Sequence, residues 1–111
     1  MMHQMKLWHA PFLRLREGTK TIELRLYDEK RSGIAAGDTI LFADSDSGET
    51  LTCLVLALHR YPSFEALYAH HEPVSLGYAA DEPASPADML AYYSAENIRK
   101  YGVVGIEIRV I

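Results

Sequence analysis

The segment Thr21-Ile22-Glu23-Leu24-Arg25-Leu26-Tyr27 alternates polar and apolar side chains without a break. Strict alternation is the mark of a β-strand with two unlike faces. Ile22, Leu24 and Leu26 point one way; Thr21, Glu23, Arg25 and Tyr27 point the other. Such a strand needs an apolar layer on one side and a use for its charges on the other. The residues before it read as a short helix that Pro11 starts, on which Phe12 and Leu15 share a face and which Gly18 ends.

The rest of the chain continues in an α+β order. Asp28 to Ser32 is charged and polar and reads as a loop, and Gly37-Asp38 as a turn before a strand from Thr39 to Phe42. Asp44-Ser45-Asp46-Ser47-Gly48 has the composition of a hairpin turn, followed by a long strand from about Thr50 to Tyr61. Ser63 is placed to cap a helix carrying Phe64, Leu67, Tyr68 and His71 on one face. Glu72 to Pro83 reads as an irregular loop. Ser85-Pro86-Ala87-Asp88 starts a helix carrying Met89, Leu90, Tyr92 and Tyr93, Ser94 caps another through Arg99, and Val103 to Ile111 is a closing strand. Separated strands with two or three short helices predict a small mixed barrel, which closes its sheet edges.

The chain has 111 residues, enough for one domain with a real core and little more. Its one cysteine, Cys53, lies in an apolar run and reads as a buried strand residue. A lone cysteine makes no internal disulfide, which fits a reducing, cytoplasmic compartment. The first residues lack the apolar region of a signal peptide, and no run is long enough to cross a membrane. The formal charge of −4 argues against strong non-specific binding to nucleic acid. Residues 1–34 nevertheless carry +3, leaving −7 on the remainder, so an anionic group is expected to approach near the alternating strand.

That strand and its approach, Gly18-Thr19-Lys20-Thr21-Ile22-Glu23-Leu24-Arg25, concentrate the chemistry. Glycine frees the backbone for a turn, lysine sits on the turn, and Glu23 and Arg25 project from one face a pleat apart. A primary amine, a carboxylate and a guanidinium then come within reach of one small ligand. The carboxylate can hold the amine, act as a base or accept from a ligand's amino group, while the guanidinium offers a planar fork to phosphate or a base edge. The plain alternative is an exposed strand face with an ordinary surface ion pair.

Gly18-x-Lys20-x-x-Glu23-x-Arg25 resembles the G-x-K-x-x-E-x-R signature of the ASCH domain family. Leu26 to Arg31, Ile34 and Gly37-Asp38-Thr39-Ile40 are similar to the continuation seen in small stand-alone members. Tyr61-Pro62-Ser63-Phe64 resembles the family's Y-x-S-F before its helix, and Lys100 to Ile108 its closing strand. The resemblance runs from about Trp8 to the end and implies a PUA-like small mixed β-barrel with a cleft beside the signature, over a single domain 1–111. It implies RNA, a nucleotide or a modified nucleoside as partner; the absence of a P-loop, a dinucleotide fingerprint and metal-ligand spacings separately predicts no cofactor and no metal. Some family members deacylate N4-acetylcytidine, and at least one is a ribonuclease. In the amidohydrolase group a lysine matching Lys20 works with a nucleophilic threonine and a downstream glutamate. Here Glu23 stands at the threonine position, Thr21 does not match it, and Glu82 is the candidate for the downstream acid. Carboxylate for hydroxyl removes the obvious nucleophile, though a glutamate can serve as a base on water with lysine holding an oxyanion.

Elsewhere the sequence offers less. His70-His71-Glu72 is the tightest histidine cluster, but adjacent helical positions diverge and do not share a metal. Among the seven tyrosines, Tyr27 and Tyr61 are candidates for the cleft, and Trp8 reads first as core. The ligand-binding candidates are therefore Lys20, Thr21, Glu23, Arg25, Tyr27 and Tyr61; Lys20, Glu23 and Glu82 are the catalytic ones. Three functions stay open: a binding module for RNA or a nucleotide, a small hydrolase, or a regulatory protein that interacts through an apolar patch near Tyr92-Tyr93.

Overall fold

The computed structural model describes all 111 residues and is organised around one mixed sheet. In chain order the strands are β1 (Met2–Leu7), β2 (Ile22–Leu26), β3 (Thr39–Asp44), β4 (Thr50–Tyr61) and β5 (Val103–Val110). Across the sheet they lie in the order β1-β3-β4-β5-β2. β1 runs parallel to β3, and every other pairing is antiparallel. The helices are α1 (His9–Glu17), α2 (Glu29–Ser32), α3 (Phe64–Ala69), α4 (Pro73–Leu76) and α5 (Ala95–Tyr101), with a 3-10 helix at Pro86–Ala91.

β4 makes the sheet curl. Its first half pairs with β3, and it pairs with β5 through Tyr61. A bulge between Val55 and Ala57 bends the strand where its neighbours change. The result is a half-barrel whose two edges, β1 and β2, face one another without a ladder between them. A side chain spans that gap: Arg25 Nη2 on β2 donates to the Lys6 carbonyl on β1 at 2.9 Å.

Apolar burial is divided between two clusters. The larger one holds Phe12 and Leu15 of α1 against Ile40, Phe42, Val55, Val104 and Ile106. The smaller one packs Ile22, Leu24 and Leu26 of β2 under Phe64, Leu67, Leu76 and Met89. The predicted apolar face of the alternating strand is thus buried as a unit. Cys53 is fully buried in the larger cluster, where burial and then the Glu23 charge push its thiol up to about 11.

Several elements differ from the sequence reading. Glu29–Ser32 is a helix and not a loop, because the Asp28 carboxylate caps it by accepting from the Arg31 amide. The Glu72–Pro83 stretch contains α4, started by Pro73. The helix after Ser85 is a short 3-10 turn, so Tyr92 and Tyr93 fall beyond its end. Strand β1 has no counterpart in the sequence reading. Trp8 is 67% exposed and belongs to no core cluster.

Candidate functional site

The turn after α1 sets Lys20 in place. Gly18 ends α1 in the left-handed conformation, and the amides of Gly18, Thr19 and Lys20 all donate to the Arg14 carbonyl. This wraps the chain back so that the Lys20 side chain runs inward. Its ammonium donates to the carbonyls of Ile22 at 2.6 Å and Leu76 at 3.0 Å, and lies 3.2 Å from Glu23 Oε1. Three acceptors therefore match three N–H donors. Gly77 makes this fit possible. It has φ +112, and a Cβ there would lie 3.3 Å from Lys20 Cδ. The amide of Thr21 is fastened to the Ser75 carbonyl, giving the same turn a second hold on the α4 segment.

Glu23 takes a cation on each oxygen. Oε1 faces Lys20, and Oε2 accepts from Arg25 Nε at 2.8 Å and Nη2 at 2.7 Å. Lys20 and Glu23 are 4% and 5% exposed, so this is no surface ion pair. Burial pushes the Glu23 carboxyl up, but Lys20 and Arg25 outweigh it and hold the group below the ordinary glutamate value. Burial lowers Lys20, with Glu23 opposing the shift. Burial also acts to lower Arg25, but Glu23 overcomes it and the guanidinium titrates above its usual range. The phenol of Tyr93 lies against the same guanidinium, and burial raises its pKa.

The three charges form part of the wall of a cleft of about 710 Å³, within the range of small-molecule sites. The opposite walls come from distant parts of the chain: Trp8 after β1, Tyr68 on α3, Tyr78 after α4, and Tyr92 and Tyr93 after the 3-10 helix. Trp8 and Tyr92 meet edge to face, with ring centres 5.6 Å apart. The Tyr78 hydroxyl donates to Asp88 at 2.7 Å and shares a hydrogen bond with Tyr68 at 2.8 Å. Burial, then Tyr68 and Asp88, push the Tyr78 pKa far above its ordinary value.

The structure brings together Lys20, Glu23, Arg25 and Glu82 around this cleft. It leaves out Thr21, Tyr27 and Tyr61. Thr21 precedes the strand, with its backbone held by Ser75 and Ile108. Tyr27 follows the strand's last residue and bonds its amide to Gly102, so the pleat no longer directs it toward Glu23. Both tyrosines line a separate groove, and Tyr61 is also engaged by the histidines of the predicted cluster. His71 Nε2 shares a 2.9 Å hydrogen bond with its hydroxyl, and His70 stacks on its ring. Tyr68, Tyr78 and Asp88 were missed, since no local spacing marks residues that meet only through the fold.

A family model for the ASCH domain matches residues 5–111. The chain belongs to the ASCH domain family. Its structure is similar to the crystal structure of "hypothetical protein PH0355", with a TM-score of 0.82 and 33% identity over the whole of both chains. It is also similar to the solution structure of protein PF0455 from Pyrococcus furiosus, with a TM-score of 0.72 and 32% identity, covering 100% of this chain and 98% of that one. The ASCH protein of Zymomonas mobilis superposes with a TM-score of 0.66 at 12% identity, covering 97% of this chain and 66% of that one, and shows the shared fold. No functionally curated protein matches. The half-barrel with its short helices is the PUA-like α+β arrangement of this family. No helix of this ASCH domain is long and apolar enough to cross a membrane.

Proposed function

We propose that this ASCH domain is a binding module whose cleft holds one nucleoside or nucleotide, either free or at the end of an RNA strand. The observation that carries the reading is the placement of a buried, doubly paired carboxylate beneath a set of aromatic walls. Tyrosine and tryptophan faces suit a planar base, and stacking of this kind is worth about 1–3 kcal/mol per base. Glu23 accepts hydrogen bonds only, so it selects a base edge that donates, such as an exocyclic amine. Arg25 commits Nε and Nη2 to Glu23 and Lys6, which leaves Nη1 to donate to an acceptor next to that donor.

Cleft charge narrows the ligand further. Lys6, Lys20 and Arg25 are balanced by Glu23, Glu82 and Asp88. A polyphosphate or a long tract of backbone needs a positive excess that this lining lacks. A compact ligand with at most one phosphate fits better.

Thermal denaturation across a panel of nucleosides and mononucleotides tests the reading. A ligand at a hundred times its Kd adds about 2.7 kcal/mol of stability, which moves the midpoint by several degrees. Arg25→Ala is expected to remove that shift. A panel that leaves the midpoint unmoved at millimolar concentrations would sink the proposal.

A hydrolase reading rests on one observation, that Lys20, Glu23 and Glu82 all border the cleft. It asks Glu23 to act as a base, yet Lys20 and Arg25 hold that carboxylate below its ordinary pKa, which weakens it for proton abstraction near neutrality. Glu82 Oε1 accepts from the Ala79 amide at 2.9 Å. Product formation from an acylated cytidine or short RNA, lost in Glu23→Gln, is the result that would favour turnover over binding.

A further inference from the structure

Trp8 and Tyr92 stand at the mouth of the cleft as two walls of a corner. Their rings meet at 75° with centres 5.6 Å apart. Trp8 is 67% exposed and Tyr92 53%, so each keeps open ring surface toward solvent. The two cation–ring contacts within the protein, Arg60 over Tyr27 and Lys100 over Tyr101, both involve rings outside the cleft. No cation of the protein covers the corner.

Two acids in the same lining also lack a cation. Glu82 and Asp88 are exposed residues of the cleft wall, and neither takes part in a salt bridge. Glu82 Oε1 accepts from the Ala79 amide and Asp88 Oδ2 from the Tyr78 hydroxyl, which leaves the second oxygen of each free. Burial raises the Tyr68 phenol, and Asp88 and Tyr92 add to the shift, which sets both beside that hydroxyl. Lys20, Glu23 and Arg25 satisfy one another, so the unpaired charges of the lining are these two acids and Lys6. Lys6 is exposed, on a stem long enough to carry its charge into water.

We propose that the Trp8–Tyr92 corner is a subsite for a quaternary ammonium group. The negative faces of the indole and phenol rings attract its spread charge, and its methyl groups bury against the same rings. The free carboxylate oxygens add attraction without requiring a hydrogen bond. A primary ammonium or a guanidinium carries N–H donors that ring carbons leave unsatisfied, so stripping its water here costs more. The subsite goes beyond the nucleoside reading, whose polar contacts are Glu23 and Arg25.

Trp8 is the one tryptophan of the chain, so its emission reports occupancy of the corner. The full chain is titrated at constant ionic strength with choline, with ethanolamine, and with the neutral tert-butyl analogue of choline, in which carbon replaces nitrogen. Choline is expected to change the emission saturably, and the other two to bind about fivefold or more weakly. By calorimetry, Trp8→Ala should weaken choline about tenfold or more. Asp88→Asn and Glu82→Gln should each weaken it about two- to fivefold, and Lys6→Gln should tighten it. A peptide carrying trimethyl-lysine separates the two sources of the group: tighter binding than choline names a methylated protein tail, weaker binding a free small molecule. Three results would each overturn the proposal: no saturable change with choline or the peptide, equal affinity for ethanolamine or the neutral analogue, or choline affinity unaltered in Trp8→Ala. Failure of the nucleoside reading shows separately, in the thermal panel, which contains no quaternary amine.

Discussion

The two faces of β2 are both buried, yet they serve opposite ends. Ile22, Leu24 and Leu26 meet Phe64, Leu67 and Leu76, and the association needs no partner atom in particular. On the other face Glu23 meets Lys20 and Arg25, and every contact is a directed one. Desolvating such charges roughly cancels their attraction, so the network contributes little net stability compared with apolar side chains of the same volume. On the proposed reading the network serves the cleft more than the fold. The apolar face holds the strand in the fold, and the charged face keeps a polar patch fixed on the cleft wall.

The largest expected effect tests that division directly. Lys20→Met leaves the buried Glu23 with only Arg25, and breaking a buried pair in this way costs about 3–5 kcal/mol in urea denaturation. Leu24→Ala on the opposite face should cost about 2–5 kcal/mol through loss of burial and a cavity. The faces separate in the combined variant Lys20→Met, Glu23→Leu, Arg25→Met. It should recover most of the stability lost in Lys20→Met while binding no ligand in the cleft. A combined variant as unstable as the single one would show that the charged face is structural after all.

Gly77 sharpens the same comparison from outside the strand. Alanine there must adopt φ +112 and press its Cβ on the Lys20 stem. The expected loss is about 1–3 kcal/mol, accompanied by weaker ligand binding because the ammonium moves off Glu23. Gly105 is the control beneath the apolar face, where a Cβ would stand 3.0 Å from Ile22 Cγ2. Alanine at Gly105 should lower stability and leave the affinity of the folded fraction unchanged.

The sequence showed one face of this comparison better than the other. Alternation exposed the apolar face, and the G-x-K-x-x-E-x-R spacing located the three charges. The serine caps of α3, the 3-10 helix and α5 were legible because each hydroxyl accepts an amide two or three residues on, a strictly local event. The burial of Glu23 was not legible. It depends on Leu76 and Gly77 closing over Lys20, and nothing near residue 20 announces them. β1 was missed for a related reason: Met2 to Leu7 lacks β-branched residues, and its parallel partner β3 is distant in the chain. Tyr27 was misplaced because alternation was extended one residue past the strand's end.

Trp8 separates binding from stability at the cleft mouth. Its ring is mostly exposed and touches Tyr92. Trp8→Ala should change folding stability by no more than about 0.5 kcal/mol, while weakening a stacked base in the cleft by about 1–3 kcal/mol. Calorimetric titration with a nucleoside identified in the thermal panel measures the second quantity. Equal affinity in the variant would remove Trp8 from the site and leave base recognition to the inner tyrosines.

The smallest effect concerns a second buried carboxylate, with a partner that titrates. Asp44 is buried at the start of the β3–β4 turn, where its Oδ2 lies 2.7 Å from His9 Nδ1 and accepts from the Ser47 hydroxyl at 2.9 Å. Burial pushes Asp44 up, but the Asp46 amide, His9 and Ser47 outweigh it and bring the group down to about 2. The hydrogen bond to Asp44 raises His9 above 6.5. A raised histidine adds stability that is complete below its unfolded value and lost as pH rises through the folded one; a depressed aspartate adds stability above its unfolded value and loses it as pH falls. The pair is therefore strongest between about pH 4 and 6.5. Stability should decline slightly above that window, and His9→Ala should flatten the decline in denaturation series from pH 6 to 8. Glu23, clasped by lysine and arginine, gives no such slope near neutrality. A decline that survives His9→Ala would move the titrating group elsewhere, and His71 beside Tyr61 does not supply it: burial holds His71 below 6.5, so stability rises with pH between its folded value and 6.5 instead of falling above it.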